Sequence, residues 1–299
     1  MSLTVAEKRA YQQLCGADGF MLVIAADQRG GIRKLLANEA AEQAAITDAQ
    51  LGDVKASIVA NLAVDAPCIL LDPICALPRV VEDGTLPRDV ALLVGIDASG
   101  HGTDPDGHYL ARLVPGINAR KVRDLGGAAG KVLVYLRSDY PDASAPNLAL
   151  LKNTIADFAA ENVLLITEFL PYRLPSEDAE AYAAKLAGII EGDARMCLEA
   201  GAKVLKMPFP GSADGCRKIT AMCGDVPWTV LSAGVDHVTF LGQVKIAMAN
   251  GCAGVIGGRA LWKDCVSLDA ADCAKALRQR GRPRLAEIKA VLKATKRAA

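Results

Sequence analysis

The fold is decided by the stretch Met21-Leu22-Val23-Ile24-Ala25-Ala26-Asp27-Gln28-Arg29-Gly30-Gly31. Its first part, 21–27, is predicted to be a strand buried on both faces, because apolar residues follow one another without polar alternation. The strand leads into Asp27-Gln28-Arg29-Gly30-Gly31. A dinucleotide-binding sheet would have a GxGxxG turn here. The turn therefore argues against an open doubly wound sheet, the alternative fold, and favours a closed barrel.

Further apolar runs along the chain indicate the same closed fold. The predicted strands are 21–27, 68–72, 91–97, 131–136, 163–168, 203–206, 228–232 and 254–256. Helical spacing marks the segments between them, such as 38–62, with Thr47 as an internal cap, and 176–200. Eight strand and helix units predict an α/β protein with one (β/α)8 TIM barrel domain over residues 1–299, closed by one or two helices within 269–299.

Composition excludes several classes of function. The 299 residues are 52% hydrophobic and 23% charged with a formal net charge of zero, so no basic field exists for nucleic acid or an anionic membrane. No apolar run approaches the roughly 20 residues that cross a bilayer, and the first residues lack the apolar core of a signal peptide. We expect a cytoplasmic protein that acts on a small polar or charged molecule.

Cysteine and histidine spacing gives no sign of a metal site. Nine scattered cysteines without a CxxC pair predict reduced thiols. His101 and His108 lie in a stretch rich in glycine and aspartate, 99–107, which is predicted to be a mobile loop, and His237 is placed at a helix start. Three scattered histidines are a poor zinc set, so we expect no metal or other cofactor, and amine chemistry is favoured.

Charged residues end the predicted strands, and in a barrel these ends carry the chemistry. Lys206 closes the apolar run Ala202-Lys203-Val204-Leu205-Lys206. Burial lowers the pKa of a lysine, which leaves part of it as a free amine able to attack a carbonyl, although a strand-end lysine can also simply reach solvent. Glu168 can shuttle protons or form an ion pair with Lys131 or Lys206. The strand-end charges are Asp27, Asp72, Asp97, Glu168 and Lys206, and strand four carries Lys131 and, further on, Arg137.

The last two strands lead into small-residue turns. These are Ser232-Ala233-Gly234 and Gly257-Gly258-Arg259. Small residues let backbone N–H groups approach an anion, and the Arg259 guanidinium adds a charged donor that can make two hydrogen bonds. Barrels commonly bind phosphate after strands seven and eight. The alternative is that the glycines only make tight turns and Arg259 pairs with a neighbouring acid.

Taken together, these segments resemble a known family. Ala25 to Arg29, Lys131 to Tyr135, Glu168, Val204 to Lys206, Leu231 to Val235 and Gly257 to Ala260 are similar, in order and spacing, to class I aldolases of the tagatose-1,6-bisphosphate and sulfofructosephosphate type, and more distantly to class I fructose-bisphosphate aldolase. The resemblance covers nearly the whole chain. It implies a (β/α)8 barrel, a phosphorylated sugar substrate, dihydroxyacetone phosphate as a product and association into a homo-oligomer.

The resemblance also implies residue roles. Lys206 would form the Schiff base, Glu168 would shuttle protons, and Lys131 and Asp27 would assist. The C1 phosphate would bind at Ser232, Gly234, Gly258 and Arg259. A distal phosphate or sulfonate would bind near Gln28, Arg29 or Arg137, because a planar guanidinium suits either anion.

Two features leave the substrate open. The first feature is that segments 136–139, 227–228 and 260–262 are closer to the sulfofructosephosphate enzymes. The second is the sequence after the Schiff-base lysine, which in both subfamilies is usually Val-Glu, then an apolar residue and Pro. In this chain it is Met207-Pro208-Phe209-Pro210. An aldolase for deoxy sugar phosphates or keto acids is therefore an alternative. A non-catalytic regulator that binds sugar phosphates is another.

Overall fold

The apolar runs form a closed barrel in the computed structural model, which describes residues 3–295. The eight strands are all parallel and are arranged in the order β1-β8-β7-β6-β5-β4-β3-β2, with β1 pairing both β8 and β2. The predicted (β/α)8 barrel is confirmed. The strands are β1 Met21–Ala25, β2 Cys68–Leu71, β3 Ala91–Gly95, β4 Ala129–Tyr135, β5 Leu164–Leu170, β6 Leu205–Met207, β7 Trp228–Val230 and β8 Gly254–Gly257.

Helices alternate with these strands and cover the outside of the barrel. They are α1 Val5–Leu14, α2 Gly30–Leu36, α3 Ala40–Ala45, α4 Asp48–Leu62, α5 Leu77–Glu82, α6 Ala119–Asp124, α7 Pro141–Ala160, α8 Ala179–Glu199, α9 Ala213–Cys223, α10 His237–Ala249, α11 Arg259–Trp262, α12 Ala270–Ala276 and α13 Arg282–Ala294. A 3-10 turn, Ala63–Asp65, follows α4, and a π-helical turn, Leu277–Gly281, joins α12 to α13. Within the described residues, no helix is long and apolar enough to cross a membrane.

The apolar residues form two layers because successive strand side chains point to opposite faces. The larger layer lies between the sheet and the helices. The smaller one fills the barrel interior with residues such as Val23, Leu70 and Ile166, and Ala10 and Leu14 of α1 join it. Helix α1 therefore packs against the interior layer. The sequence had not predicted this helix.

Several boundaries differ from the predicted ones for local reasons. The predicted helix over 38–62 is two helices, α3 and α4, because Thr47 makes a capping box with Gln50 and starts α4. Helix α8 begins after its N-cap Asp178, whose carboxylate accepts from two backbone N–H groups. Residues 296–299 of the predicted closing segment lie outside the described residues.

The segment 99–107 differs most from its prediction as a mobile loop. Two short antiparallel strands, Gly102–Thr103 and Tyr109–Leu110, form a hairpin above the end of β3. The base of the hairpin is hydrogen-bonded next to that strand end, because the Ala98 N–H donates to the Arg112 carbonyl. Asp97 and Leu113 also form an isolated antiparallel β-bridge there. The hairpin therefore borders the mouth of the barrel.

Candidate active site

Strand register places three predicted catalytic residues side by side. Glu168 of β5 is the register partner of Lys206 of β6. On the other side of β5, Glu168 faces Leu133 of β4, and Lys131 has the same side-chain parity as Leu133. Lys206, Lys131 and Glu168 are buried, with only 3%, 1% and 7% of their surface exposed. Three charged side chains thus point into one end of an otherwise apolar barrel.

Glu168 contacts both lysines through one oxygen. The Lys206 Nζ donates to Glu168 Oε2 at 2.8 Å, and the Lys131 Nζ lies 3.2 Å from the same atom. Lys131 also lies 2.7 Å from Asp27 Oδ2, at the end of β1. Asp27, Lys131, Glu168 and Lys206, which come from four different strands, therefore form one contact network.

The charges in this network fix the protonation of Lys131 and Asp27. Burial would lower the pKa of Lys131, but the carboxylates of Asp27, Asp97 and Glu168 outweigh it and hold the pKa well above its ordinary value. Burial would raise the pKa of Asp27, but Lys131 and Lys206 outweigh it and keep the pKa well below its usual range. Lys131 is therefore a permanent cation beside Lys206, and Asp27 a permanent anion.

Asp97 is a fifth member of the network, and no role was predicted for it from the sequence. Its Oδ1 accepts a hydrogen bond of 2.5 Å from the Lys131 Nζ. The pKa of Asp97 lies above its ordinary value, mainly because the carboxyl is buried. The Lys131 cation opposes this rise, and the carboxylates of Asp27 and Glu168 add to the rise. Its position at the end of a predicted strand was the signal that could have identified it.

The two glycine turns meet above β7 and β8. A Cβ on Gly234, whose φ is +86°, would lie only 3.1 Å from the Arg259 Cζ, and one on Gly258 would overlap the carbonyl of Ala25. Only glycine fits both places. Ser232 is buried beside these turns.

Several donors in the turns are uncommitted. In residues 3–295, the backbone N–H groups of Ala233, Gly234 and Gly258 have no hydrogen-bond acceptor, and the Arg259 guanidinium has no ion-pair partner. The described residues thus provide no acid for the alternative in which Arg259 pairs with a neighbour. The turns present several free donors to an anion.

Arg29 and Gln28 lie on the β1 side of the network. The Arg29 Nη2 donates to the Asp97 carbonyl at 3.0 Å, and its Nη1 lies 3.6 Å from Asp72 Oδ1. Asp72 also pairs with the fully buried Lys55, a residue that sequence analysis missed. The buried Gln28 Oε1 has no hydrogen-bond partner within residues 3–295.

Arg137 has a different environment from the one predicted for it. Its Nε and Nη2 donate to the two oxygens of Asp139, its Nη1 and Nη2 to the two oxygens of Glu177, and its Nη1 also to the Tyr172 carbonyl. All five N–H donors of a guanidinium are therefore engaged. Arg137 stabilises the loops after β4 and β5 and has no donor left for a substrate anion.

No group of histidine, cysteine or carboxylate side chains in the described residues could hold a metal ion. His237 begins α10 as predicted, but its Nε2 lies 2.7 Å from Glu287 Oε2. The nine cysteines are free thiols. Burial raises the pKa of Cys252 to about 12, which keeps this thiol protonated and unreactive.

Comparison with known proteins shows which family the chain belongs to. The model of the DeoC/LacD family aldolases matches residues 21–264, which includes every strand of the barrel. The chain belongs to the DeoC/LacD aldolase family. As a member of this family it is a carbon–carbon lyase.

Two curated relatives match this chain over most of its length and most of their own. The tagatose 1,6-diphosphate aldolase 1 of Streptococcus mutans is 28% identical, over 99% of this chain and 98% of its own. The tagatose 1,6-diphosphate aldolase of Lactococcus lactis is 26% identical, over 89% of this chain and 87% of its own.

Solved structures show the same fold at lower identity. An archaeal fructose-1,6-bisphosphate aldolase, with its catalytic lysine bound to the carbinolamine intermediate, matches with a TM-score of 0.60 at 14% identity, covering 95% of this chain and 98% of its own. The fructose-bisphosphate aldolase of Slackia heliotrinireducens gives 0.63 at 18% identity, covering 100% and 96%.

Proposed function

We propose that this aldolase cleaves a ketose 1-phosphate to dihydroxyacetone phosphate and an aldehyde through a Schiff base on Lys206. The observation that carries the proposal is the 2.8 Å contact between the Lys206 Nζ and Glu168 Oε2, next to the permanent cation of Lys131. A buried amine beside both an acid and a like charge is the arrangement that amine catalysis needs.

Bond formation would begin at the C2 carbonyl of the ketose. The neutral Lys206 amine adds to C2, and the carbinolamine loses water, with the proton supplied by Glu168, to give an iminium. The positive nitrogen then accepts the electron pair of the C3–C4 bond as this bond breaks. Glu168 takes the proton of the C4 hydroxyl and the aldehyde leaves.

The enamine that remains would be protonated at C3. Water then adds to C2 and releases dihydroxyacetone phosphate and free Lys206, so the water lost earlier is returned and the lysine is unchanged. Lys131 would stand beside the attacking amine, since its Nζ lies 3.2 Å from the Glu168 oxygen that Lys206 also contacts. Asp27 would hold Lys131 in place.

The substrate would be oriented by its phosphate. The uncommitted N–H groups of the β7 and β8 turns and the Arg259 guanidinium would bind the C1 phosphate, together with Ser232. At the far end, Gln28 and Arg29 would face a second phosphate or a sulfonate. The names of the curated relatives favour tagatose 1,6-bisphosphate, and 6-deoxy-6-sulfofructose 1-phosphate is the second candidate.

The usual Val-Glu after the lysine is replaced by Met207-Pro208 in this chain. Met207 keeps an apolar residue at the first of these positions, where the side chain is fully buried in the layer between sheet and helices, on the opposite face from Lys206. Pro208, at the position of the glutamate, follows the end of β6 and has no carboxylate, so Glu168 is the acid that contacts Lys206. The retained set of Lys206, Glu168 and Lys131 favours catalysis over a purely regulatory role.

One experiment separates the candidates. Release of dihydroxyacetone phosphate is measured with a coupled enzyme on sulfofructose 1-phosphate, tagatose 1,6-bisphosphate and fructose 1,6-bisphosphate, and borohydride is used to trap the Schiff base. We expect trapping at Lys206, loss of both signals in Lys206→Ala, and retention of both in the matched variant Lys203→Arg, which keeps a cation beside Glu7. Acetaldehyde or pyruvate as product would favour the deoxy sugar or keto acid alternative. Absence of trapping in the wild type would contradict the proposal.

Three statements stay predictions: the protein forms a homo-oligomer, residues 1–299 form a single domain, and the protein is located in the cytoplasm. The oligomeric state is measured by light scattering on the purified protein.

A further inference from the structure

The barrel order predicts where the leaving half of the substrate lies. Strands β7 and β8, which carry the phosphate-binding turns, are diametrically opposite β3 and β4 in the closed sheet. With C1 phosphate on those turns and C2 at Lys206 of β6, the chain from C3 onward crosses the mouth toward β3 and β4. This direction rests on the proposed function.

A wall of rings stands on that side of the mouth. His101 stacks on Tyr109 with 3.6 Å between ring centroids, and Tyr109 stacks on Tyr172 at 4.2 Å. Tyr135, at the end of β4, contacts these three rings edge-on at 5.4 to 6.3 Å. We call His101, Tyr109, Tyr135 and Tyr172 the ring wall.

One buried amide holds the ring wall to the barrel. Asn147 of α7 donates from its Nδ2 to the carbonyls of Tyr109 and Tyr135, at 2.8 and 2.7 Å, and its Oδ1 accepts from the Ala111 N–H at 2.8 Å. The hairpin and the end of β4 are therefore fixed relative to each other. A binding surface of this kind is already formed before a substrate arrives.

Tyr135 brings the ring wall next to the reacting groups. It has the same strand parity as Lys131, so its side chain points into the barrel mouth above that lysine. Burial raises the pKa of Tyr135 to about 12, and the nearby carboxylates of Asp97 and Glu168 add to the rise. The Tyr135 phenol is therefore a neutral hydroxyl close to Glu168, and it has no hydrogen-bond partner in residues 3–295.

His101 offers a second polar group. Its Nδ1 lies 3.0 Å from the Gly102 carbonyl. A carbonyl only accepts, so Nδ1 is the nitrogen that donates in this contact, and Nε2 is left to accept from a hydroxyl. Within the described chain Nε2 has no partner. Arg137, whose Cζ lies 5.8 Å from the centroid of the Tyr172 ring, has every donor engaged.

We propose that His101 and Tyr135 bind hydroxyl groups of the aldehyde half of the substrate and thereby determine which aldehydes the enzyme releases. The ring wall presents one acceptor and one hydroxyl on a rigid surface, and this combination recognises a polyhydroxy chain. A substrate hydroxyl donates to His101 Nε2, and Tyr135 exchanges hydrogen bonds with a neighbouring hydroxyl. Neither residue contacts the dihydroxyacetone phosphate half.

The test separates the two halves of the substrate. Dihydroxyacetone phosphate alone exchanges its C3 proton with deuterium in D2O when the enzyme forms the iminium and enamine, and no aldehyde is needed. Cleavage of a ketose phosphate needs both halves. The variants are His101→Phe and Tyr135→Phe, which keep the ring contacts and remove only the polar atom. Tyr140→Phe, which removes a hydroxyl from a ring outside the ring wall, is the control.

We expect kcat/KM for cleavage to fall about tenfold or more in His101→Phe and Tyr135→Phe, with C3 deuterium exchange within about twofold of the wild type. We also expect the preference among ketose phosphates that differ at C4 or C5 to change. Thermal unfolding verifies that each variant folds. Equal losses in cleavage and exchange would show that the residues act on Lys206 and not on the aldehyde, and unchanged cleavage would overturn the proposal. Absence of exchange in the wild type would instead contradict the Schiff-base function.

Discussion

Lys206 and Glu168 are register partners on adjacent strands, and their side chains meet at 2.8 Å inside the barrel. Parallel pairing places such partners on the same face, so the contact follows from the backbone and needs no special loop. Lys131 then approaches the same oxygen of Glu168 at 3.2 Å. One oxygen of Glu168 therefore contacts both the proposed nucleophile, Lys206, and the permanent cation, Lys131.

Glu168→Gln tests the proton shuttle. The amide keeps the size of the side chain but cannot take a proton from the C4 hydroxyl, so we expect kcat for cleavage to fall about 100-fold to 10,000-fold. Steady-state kinetics on the best ketose phosphate gives the value. Borohydride trapping at Lys206 should persist on a longer time scale. A loss below about tenfold would assign the shuttle to another group, with Asp97 the nearest candidate.

Lys131→Met tests the charge balance. Asp27 and Asp97 would lose their contact with the Lys131 cation while staying partly buried, so we expect a loss of about 3 kcal/mol or more in the free energy of unfolding. Urea unfolding measures it.

The double variant Lys131→Met/Asp97→Asn serves as the control for that substitution. Removing one carboxylate should restore part of the lost stability, because the remaining acids repel one another less. Equal stability of the wild type and Lys131→Met would contradict the description of Lys131 as the cation that holds these acids together.

Arg259→Gln tests the phosphate turns. Loss of the charged Arg259 guanidinium next to Gly234 should raise KM for a C1-phosphorylated ketose about tenfold to 100-fold and change kcat less. The matched control is Arg217→Gln, an exposed arginine on α9 that pairs with Asp214. An unchanged KM in Arg259→Gln would remove this arginine from the binding site.

Asp193→Asn tests a pH dependence of stability outside the active site. Asp193 of α8 accepts from the Ser138 N–H at 2.7 Å, and burial raises its pKa from 3.8 to about 7. A carboxyl whose pKa is higher in the folded protein stabilises it fully below the unfolded pKa and loses that contribution as pH rises through 7.

We therefore expect the wild type to lose on the order of a few kcal/mol from this group between pH 4 and pH 8. The asparagine variant, which has no charge to bury, should show a flatter profile over the same range. Thermal unfolding at several pH values compares the two. Parallel profiles would mean that Asp193 stays ionised throughout.

The sequence by itself determined the barrel and the residues at its strand ends. Continuous apolar runs such as 21–26 are typical of strands covered on both faces, and the charged residues at their carboxyl ends lie at one rim of a parallel sheet. Asp27, Glu168 and Lys206 were identifiable from these strand ends, and Lys131 from its place in strand four and from the family resemblance. Thr47 was likewise identifiable as a cap, because its capping-box partner is only three residues away.

Only the tertiary structure decided which charged side chains contact one another. Asp97 joins the network because β3 and β4 are neighbours, and Arg137 is withdrawn from it because Asp139 and Glu177 engage all its donors. The hairpin over 102–110 is held at the barrel mouth because Tyr109, on which His101 stacks, itself stacks on Tyr172, a residue distant in sequence. Local pattern specifies a cap because its partner is only three residues away, and a buried strand because its own residues are apolar, whereas the pairing of long charged side chains depends on which neighbours the closed barrel brings together.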